Sequence, residues 1–183
     1  YLGAKPVFFD ICPKTWQLDV DLIERTLASS KHDGALPKAV ISTDLYGQCA
    51  DIERLASICR MYGVNLISDS AESLGATYKS GNKAGTYADA SIFSFNGNKI
   101  LTTSGGGMYV TSNESWAEEV RYLASQAKDP APHYEHSVLG YNYRLSNVCA
   151  GIGLGQLDSL DARIERKKQI FKKYKLAFRN APL

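Results

Sequence analysis

Three short apolar runs, separated by helical patterns, constrain this chain more than any other feature. They are Lys38–Asp44 (KAVISTD), Val64–Asp69 (VNLISD) and Ala90–Phe95 (ASIFSF). Each is rich in β-branched or aromatic residues and reads as a continuous apolar run, as burial on both faces of a sheet requires. Between the first two lies Asp51–Tyr62, where Ile52, Leu55, Ile58 and Cys59 share one helical face and Gly63 stands at the C-terminal cap position. Asp19–Ala28 predicts an earlier helix, with Leu22, Ile23 and Leu27 on one face and acidic residues in the first turn. Strand, helix and strand in alternation predict a largely parallel sheet covered on both faces. Pro6–Ile11 reads as a further buried strand and Gly107–Thr111 as another, after which Ser112 can cap a helix over Glu114–Ala124. A mostly helical region begins near Ser146 and turns basic over Arg166–Lys175, which reads as a solvated helix face.

The 183 residues suggest one domain, or one and a small piece. Hydrophobic residues at 44% and charged residues at 22% exclude a disordered or fibrous chain. A net charge of +2 gives no reason to expect nucleic acid or an anionic membrane as partner. No apolar run approaches the roughly 20 residues of a membrane-spanning helix. Cys12, Cys49, Cys59 and Cys149 lack metal-ligand spacing and read as reduced thiols, so we expect no metal and a cytoplasmic location. No secretory leader is visible; the chain starts at Tyr1, close to a strand, and is expected to be a fragment of something longer.

Several motifs invite chemistry. Gly151-Ile-Gly153-Leu-Gly155 lacks the strand context of a dinucleotide fingerprint and favours close helix packing. His133 and His136 flank Glu135 in a proline-bearing loop without a third spaced ligand. Ser104-Gly105-Gly106-Gly107 is either a phosphate cradle or a flexible turn. Lys99 follows a buried strand and a small-residue turn, with Ile100 and Leu101 after it. An apolar setting there would favour the neutral amine, a nucleophile towards carbonyls; the alternative is a lysine snorkelling from a strand end. Asp69 ends a strand, where open parallel sheets collect ligands, and could hold a pyridinium nitrogen or simply cap the turn at Ser70-Ala71. Ser94 could offer a hydroxyl to a phosphate or be a satisfied strand serine. Asp69, Ser94 and Lys99 in that order are more specific than any one of them.

Asp44–Gly47 (DLYG), Asp69–Ala76 (DSAESLGA), Ser94–Lys99 (SFNGNK), Ser104–Gly107 (SGGG) and Gly140–Ser146 (GYNYRLS) occur in order. Together they closely resemble the DegT-type, pyridoxal-phosphate-dependent nucleotide-sugar aminotransferases, from about Tyr1 to about Lys175. The segments Asp129–Tyr134 and Asn96–Asn98 resemble the branch that aminates UDP-4-keto-6-deoxy-hexoses, on routes to bacillosamine- or legionaminic-type sugars. The resemblance implies an α/β/α sandwich with a mostly parallel sheet, the large domain of a type I aminotransferase. Residues 1–145 would be part of that domain. Residues 146–183 would be a helical connection towards a C-terminal small domain that, like the family's N-terminal segment, lies outside the sequence.

The resemblance also assigns roles. Lys99 would bond the cofactor aldehyde and shuttle a proton, Asp69 would pair with the pyridine nitrogen, and Ser94 would hold the phosphate. Glu72 stands beside the cofactor's phenolic oxygen where relatives usually carry Gln or His; two anionic oxygens repel, so it would be protonated or turned away. Asn142 would reach the phosphate of a neighbouring subunit's cofactor, giving a homodimer with shared sites. His136 and Tyr143 are candidates for substrate contact. The expected reaction moves an amino group, from glutamate, to a keto carbon of a nucleotide-linked deoxysugar. The 183 residues alone would bind the cofactor weakly and turn over poorly. The rivals are a sugar dehydratase, in which histidine replaces the lysine, a non-catalytic domain of the same fold, and a nicotinamide-dependent dehydrogenase, against which the failed glycine fingerprint speaks.

Overall fold

The computed structural model describes residues 1–181, and contacts divide them into two units. The first comprises Tyr1–Phe93 and Met108–Arg144; the second comprises Ser94–Gly107 and the chain from Leu145 onward.

In the first unit, helix α1 (Val20–His32) starts where Asp19 accepts a hydrogen bond from Leu22 N at 3.1 Å. Asp21 in its first turn and Lys31 and His32 in its last complement the helix dipole. Strand β1 (Ala39–Thr43) leads through a turn to α2 (Ile52–Tyr62), which ends on Gly63 in the left-handed conformation, φ 66°. Strands β2 (Asn65–Asp69) and β3 (Ala90–Ser94) follow, then β4 (Gly107–Thr111) and helix α3 (Glu114–Ala124). The sheet order is β1-β2-β3-β4. β1, β2 and β3 are parallel, with Val40 opposite Leu66, Thr43 opposite Asp69, and Asp69 opposite Ile92. β4 returns in the opposite sense: the Thr111 hydroxyl donates to the Asp89 carbonyl before the start of β3, and Phe95 N–H, beyond its end, donates to the Gly106 carbonyl.

The core lies between α1, α2 and one face of the sheet, where Ile23, Leu27, Ile52, Leu55, Ile58, Cys59 and Leu66 are fully or almost fully buried. Full burial of a leucine such as Leu55 stabilises by about 1.5–3 kcal/mol.

Burial along β1 alternates, with Ile41 63% exposed, and the helices that supply this core pack on the Val40–Leu66 side. Two expectations are corrected. Pro6–Ile11 is not a strand. A strand needs a ladder of partners, and this segment has only the isolated Ile11–Leu18 bridge, with Phe8 exposed. Asn113, not Ser112, caps α3, because its side chain sits three residues before the Trp116 N–H that it accepts at 3.2 Å.

In the second unit the hairpin segment is closed by Phe95 N–H to Gly106 O at 3.0 Å and Thr103 N–H to Phe95 O at 2.8 Å. Helix α4 (Asn147–Leu157) is capped by Ser146, and α5 (Leu160–Ala177) follows it. Gly153 fits because a Cβ there would stand 2.9 Å from Thr103 Cγ2, which bears out close packing for this glycine of the run. No helix among the described residues is long and apolar enough to cross a membrane.

Candidate active site

Asp69 is the last residue of β2, at the carboxyl end of the parallel strands. Its Oδ1 accepts from Ala71 N at 3.1 Å, so the carboxylate shapes the turn that follows. The residue is half-buried, and Oδ2 meets no donor among the described residues. One oxygen therefore fixes the side chain.

The loop after Asp69 is laced to the end of β1. Asp44 N donates to the Asp69 carbonyl at 2.9 Å, and Tyr46 N donates to Glu72 Oε2 at 2.8 Å. Glu72 is exposed and its carboxylate faces a main-chain donor. Beneath it, Ser70 and Ser73 are buried and direct their hydroxyls to Asp44 Oδ2, at 3.4 and 2.5 Å. Asp44 itself is 1% exposed.

His136, Asn142 and Tyr143 lie further along the same unit and are exposed. His136 Nδ1 donates to the Gln126 carbonyl at 2.9 Å, which leaves Nε2 as the ring's other polar atom. Asn142 bridges Ser125 through the backbone, while Tyr141 N donates to Leu123 O at 2.7 Å and Tyr143 N to Ala124 O at 3.0 Å, so the Gly-Tyr-Asn-Tyr run is strapped to the end of α3. Gly140 permits this approach: a Cβ there would collide with the main chain of Gln126 and Ala127. The Tyr143 hydroxyl is 2.9 Å from that of Tyr1, which raises its pKa, and its ring stacks on Tyr141 at 5.2 Å between centroids. Asp129 organises the preceding loop, accepting from Tyr122 OH at 2.6 Å and from both Ser137 N and Oγ at 2.7 Å. Those donors, Tyr122 first, hold its carboxyl below the ordinary range.

The second unit carries Ser94 and Lys99. Ser94 Oγ accepts from Asn96 N at 3.3 Å, leaving its own proton to donate. Lys99 N donates to Asn96 O at 3.0 Å, which closes the small-residue turn. Lys99 is half-buried and lines a cavity of about 440 Å³ with Ile100, Arg163, Arg166 and Lys167. Three further cationic side chains thus line the cavity beside Lys99. Arg163 is pinned there by Ile100 O at 3.2 Å and Gln156 Oε1 at 2.9 Å.

Among the described residues, no group of three His, Cys, Asp or Glu side chains is placed to hold a metal.

A profile of the DegT/DnrJ/EryC1/StrS aminotransferase family matches residues 1–183. The chain belongs to this family. It is 53% identical over 177 residues to EpsN of Bacillus subtilis, whose name describes a pyridoxal phosphate-dependent aminotransferase; the match covers 97% of this chain and 45% of that protein. It is 39% identical to the GDP-perosamine synthase of Escherichia coli O157:H7, over 96% of this chain and 46% of the relative. Among solved structures, Helicobacter pylori PseC, an aminotransferase of pseudoaminic acid biosynthesis, superposes with a TM-score of 0.85 at 28% identity, covering 98% of this chain and 47% of that one. The chain spans about half the length of the relatives it matches. The mostly parallel α/β architecture is the family's own.

What sequence reading missed is Asp44. The DLYG motif was visible, but nothing in the sequence marked its first residue as a buried acceptor beneath the Asp69 loop.

Proposed function

We propose that this chain is the cofactor-carrying part of a pyridoxal-phosphate-dependent aminotransferase. The amino group passes, with glutamate as donor, to a keto carbon of a nucleotide-linked deoxysugar. The observation that carries this is Asp69: a half-buried strand-end carboxylate with one oxygen tied to Ala71 N and the other without a donor among the described residues.

Pyridoxal phosphate, when bound, supplies an aldehyde and a ring that withdraws electrons. Each residue type suits a different part of that group. Asp69 would hold the ring N–H through Oδ2. Ser94 would donate its hydroxyl proton to the phosphate. Lys99 would supply the amine that anchors the aldehyde and would carry a proton between the amino donor and the sugar carbon. The donor CH–NH2 becomes C=O and the sugar C=O becomes CH–NH2, so one nitrogen and three hydrogens exchange for one oxygen and no external oxidant or reductant is needed.

In this reading residues 1–145 belong to the large domain and residues 146–183 lead to a small domain. Asn142, exposed on its strap, serves the phosphate of a second copy, so the working form is a homodimer. His136 and Tyr143 meet the substrate. Relatives named for UDP-sugar and GDP-sugar chemistry support a nucleotide-linked substrate. The UDP-linked branch is our assignment, on the wording of Asp129–Tyr134 and Asn96–Asn98.

The test uses full-length protein reduced with borohydride and digested. Lys99 is expected to carry the pyridoxyl group, and Lys99→Ala is expected to lose both the visible absorbance and 2-oxoglutarate production from glutamate. Label on another lysine, or an unchanged spectrum in the variant, rejects the assignment.

A further inference from the structure

Asp44 is a buried carboxylate that the proposed chemistry does not use. Among the described residues no cation pairs with it. Instead Oδ1 accepts from Ala50 N at 3.0 Å, and Oδ2 accepts from the hydroxyls of Ser73 at 2.5 Å and Ser70 at 3.4 Å. Ser70 Oγ in turn lies 2.9 Å from Ser68 Oγ, and Ser70 N donates to Ile92 O at 2.9 Å. Burying a carboxylate away from water is costly unless donors replace the lost hydration. Here all the donors come from two loops, one after β1 and one after β2. The residue's main-chain N–H adds the bond to the Asp69 carbonyl.

The consequence is geometric. Ser70 and Ser73 bracket Ala71 and Glu72, and Asp69 immediately precedes them. With both serines drawn to one carboxylate, the Ala71 N–H that orients the Asp69 Oδ1 has a fixed position. Tyr46, two residues after Asp44, binds Glu72 from the same side.

We propose that Asp44 is a positioning residue, which aims Asp69 at the cofactor ring and sets the place of Glu72 by holding the Ser70–Ser73 loop from beneath. This rests on the reading of Asp69 as the partner of the ring nitrogen. Asp44 acts through the serines. An asparagine there keeps the volume but not the function. With its oxygen on Ala50 N–H, its NH2 can only donate, so the Ser70 and Ser73 hydroxyls lose their acceptor and must rotate to present lone pairs instead. The charge-assisted bonds that fix the loop are lost without opening a cavity.

The experiment uses full-length holoenzyme with pyridoxal phosphate bound. Two quantities are read for wild type, Asp44→Asn and Asp69→Asn: the apparent Kd for the cofactor, and the pH midpoint of its visible absorption band. We expect Asp44→Asn to weaken cofactor binding about tenfold and to move the midpoint in the same direction as Asp69→Asn, by a smaller amount. A general packing defect lowers Tm without moving that midpoint. If Asp44→Asn changes Tm alone while Asp69→Asn shifts the midpoint, the positioning role is wrong and the reading of Asp69 survives. If neither variant moves midpoint or Kd, the reading of Asp69 fails and takes the positioning role with it. Should Asp44→Asn not fold, Ser73→Ala removes one donor from the same carboxylate and is judged by the same two readings.

Discussion

The main-chain N–H of Tyr46 donates to Glu72 Oε2 at 2.8 Å, tying the turn after β1 to the loop after β2. The bond is exposed, and its net worth is about 1 kcal/mol. Glu72→Gln keeps an acceptor and is expected to leave cofactor affinity within about twofold. Glu72→Ala is expected to weaken it by about three- to tenfold. Titration of the apo-protein with pyridoxal phosphate separates the two, and equal losses in both variants would refute a role for this hydrogen bond.

The loop around Asp129 is expected to loosen at both ends of the pH scale. Hydrogen bonds from Tyr122 and Ser137 depress the Asp129 pKa, so that contribution is present above the ordinary carboxylate pKa and disappears as pH falls through the lower folded value. The same bond to Asp129 raises the Tyr122 pKa, so that contribution is present below the ordinary tyrosine value and disappears as pH rises through the higher folded one. Amide exchange over residues 128–140 is expected to rise below about pH 4 and above about pH 10. Asp129→Asn is expected to erase the acid step; an acid step that persists would point to another group.

Glycines that look alike in sequence are expected to respond differently to alanine. Gly140→Ala drives a Cβ into the backbone of Gln126 and Ala127, and a loss above about 3 kcal/mol is expected. Gly153→Ala meets a threonine methyl group at 2.9 Å and is expected to cost about 1–3 kcal/mol. Gly151→Ala meets nothing within 4 Å in α4 and is expected to stabilise by about 0.5–1 kcal/mol. Urea titrations of the three variants give the order, and Gly151→Ala falling below wild type would contradict it.

Thiol reactivity is expected to follow environment rather than position in the chain. Burial first, and then the Asp44 charge, push Cys49 up to about 12, and burial pushes Cys59 up to about 11. Hydrogen bonds from the Lys14 and Thr15 backbones and the Thr15 hydroxyl lower Cys12. Iodoacetamide at pH 7.5, followed by peptide mass spectrometry, is expected to label Cys12 well before Cys49 or Cys59. Prior labelling of Cys49 would show that the turn after β1 opens more readily than its hydrogen bonds suggest.

Much was legible in the sequence because local rules and tertiary packing agreed. The face of Ile52, Leu55, Ile58 and Cys59 is the buried face of α2, and Gly63 caps that helix in a conformation that suits glycine. Asp69 stands at a strand end because Val64–Asp69 is too apolar and β-branched to be anything but an inner strand. The Pro6–Ile11 segment is at least as apolar yet forms no strand, since a ladder depends on a neighbour that composition does not supply.

The sequence by itself determined the order of strands and helices, the family, and which residue types offer a carboxylate, a hydroxyl and an amine. Periodicity and short motifs are local, and these features are local too. Only the tertiary structure decided that Asp44 lies under the Asp69 loop, 26 and 29 residues away from the serines it binds. Contacts between distant loops are set by how sheet and helices pack in three dimensions, and no spacing within a single segment encodes them.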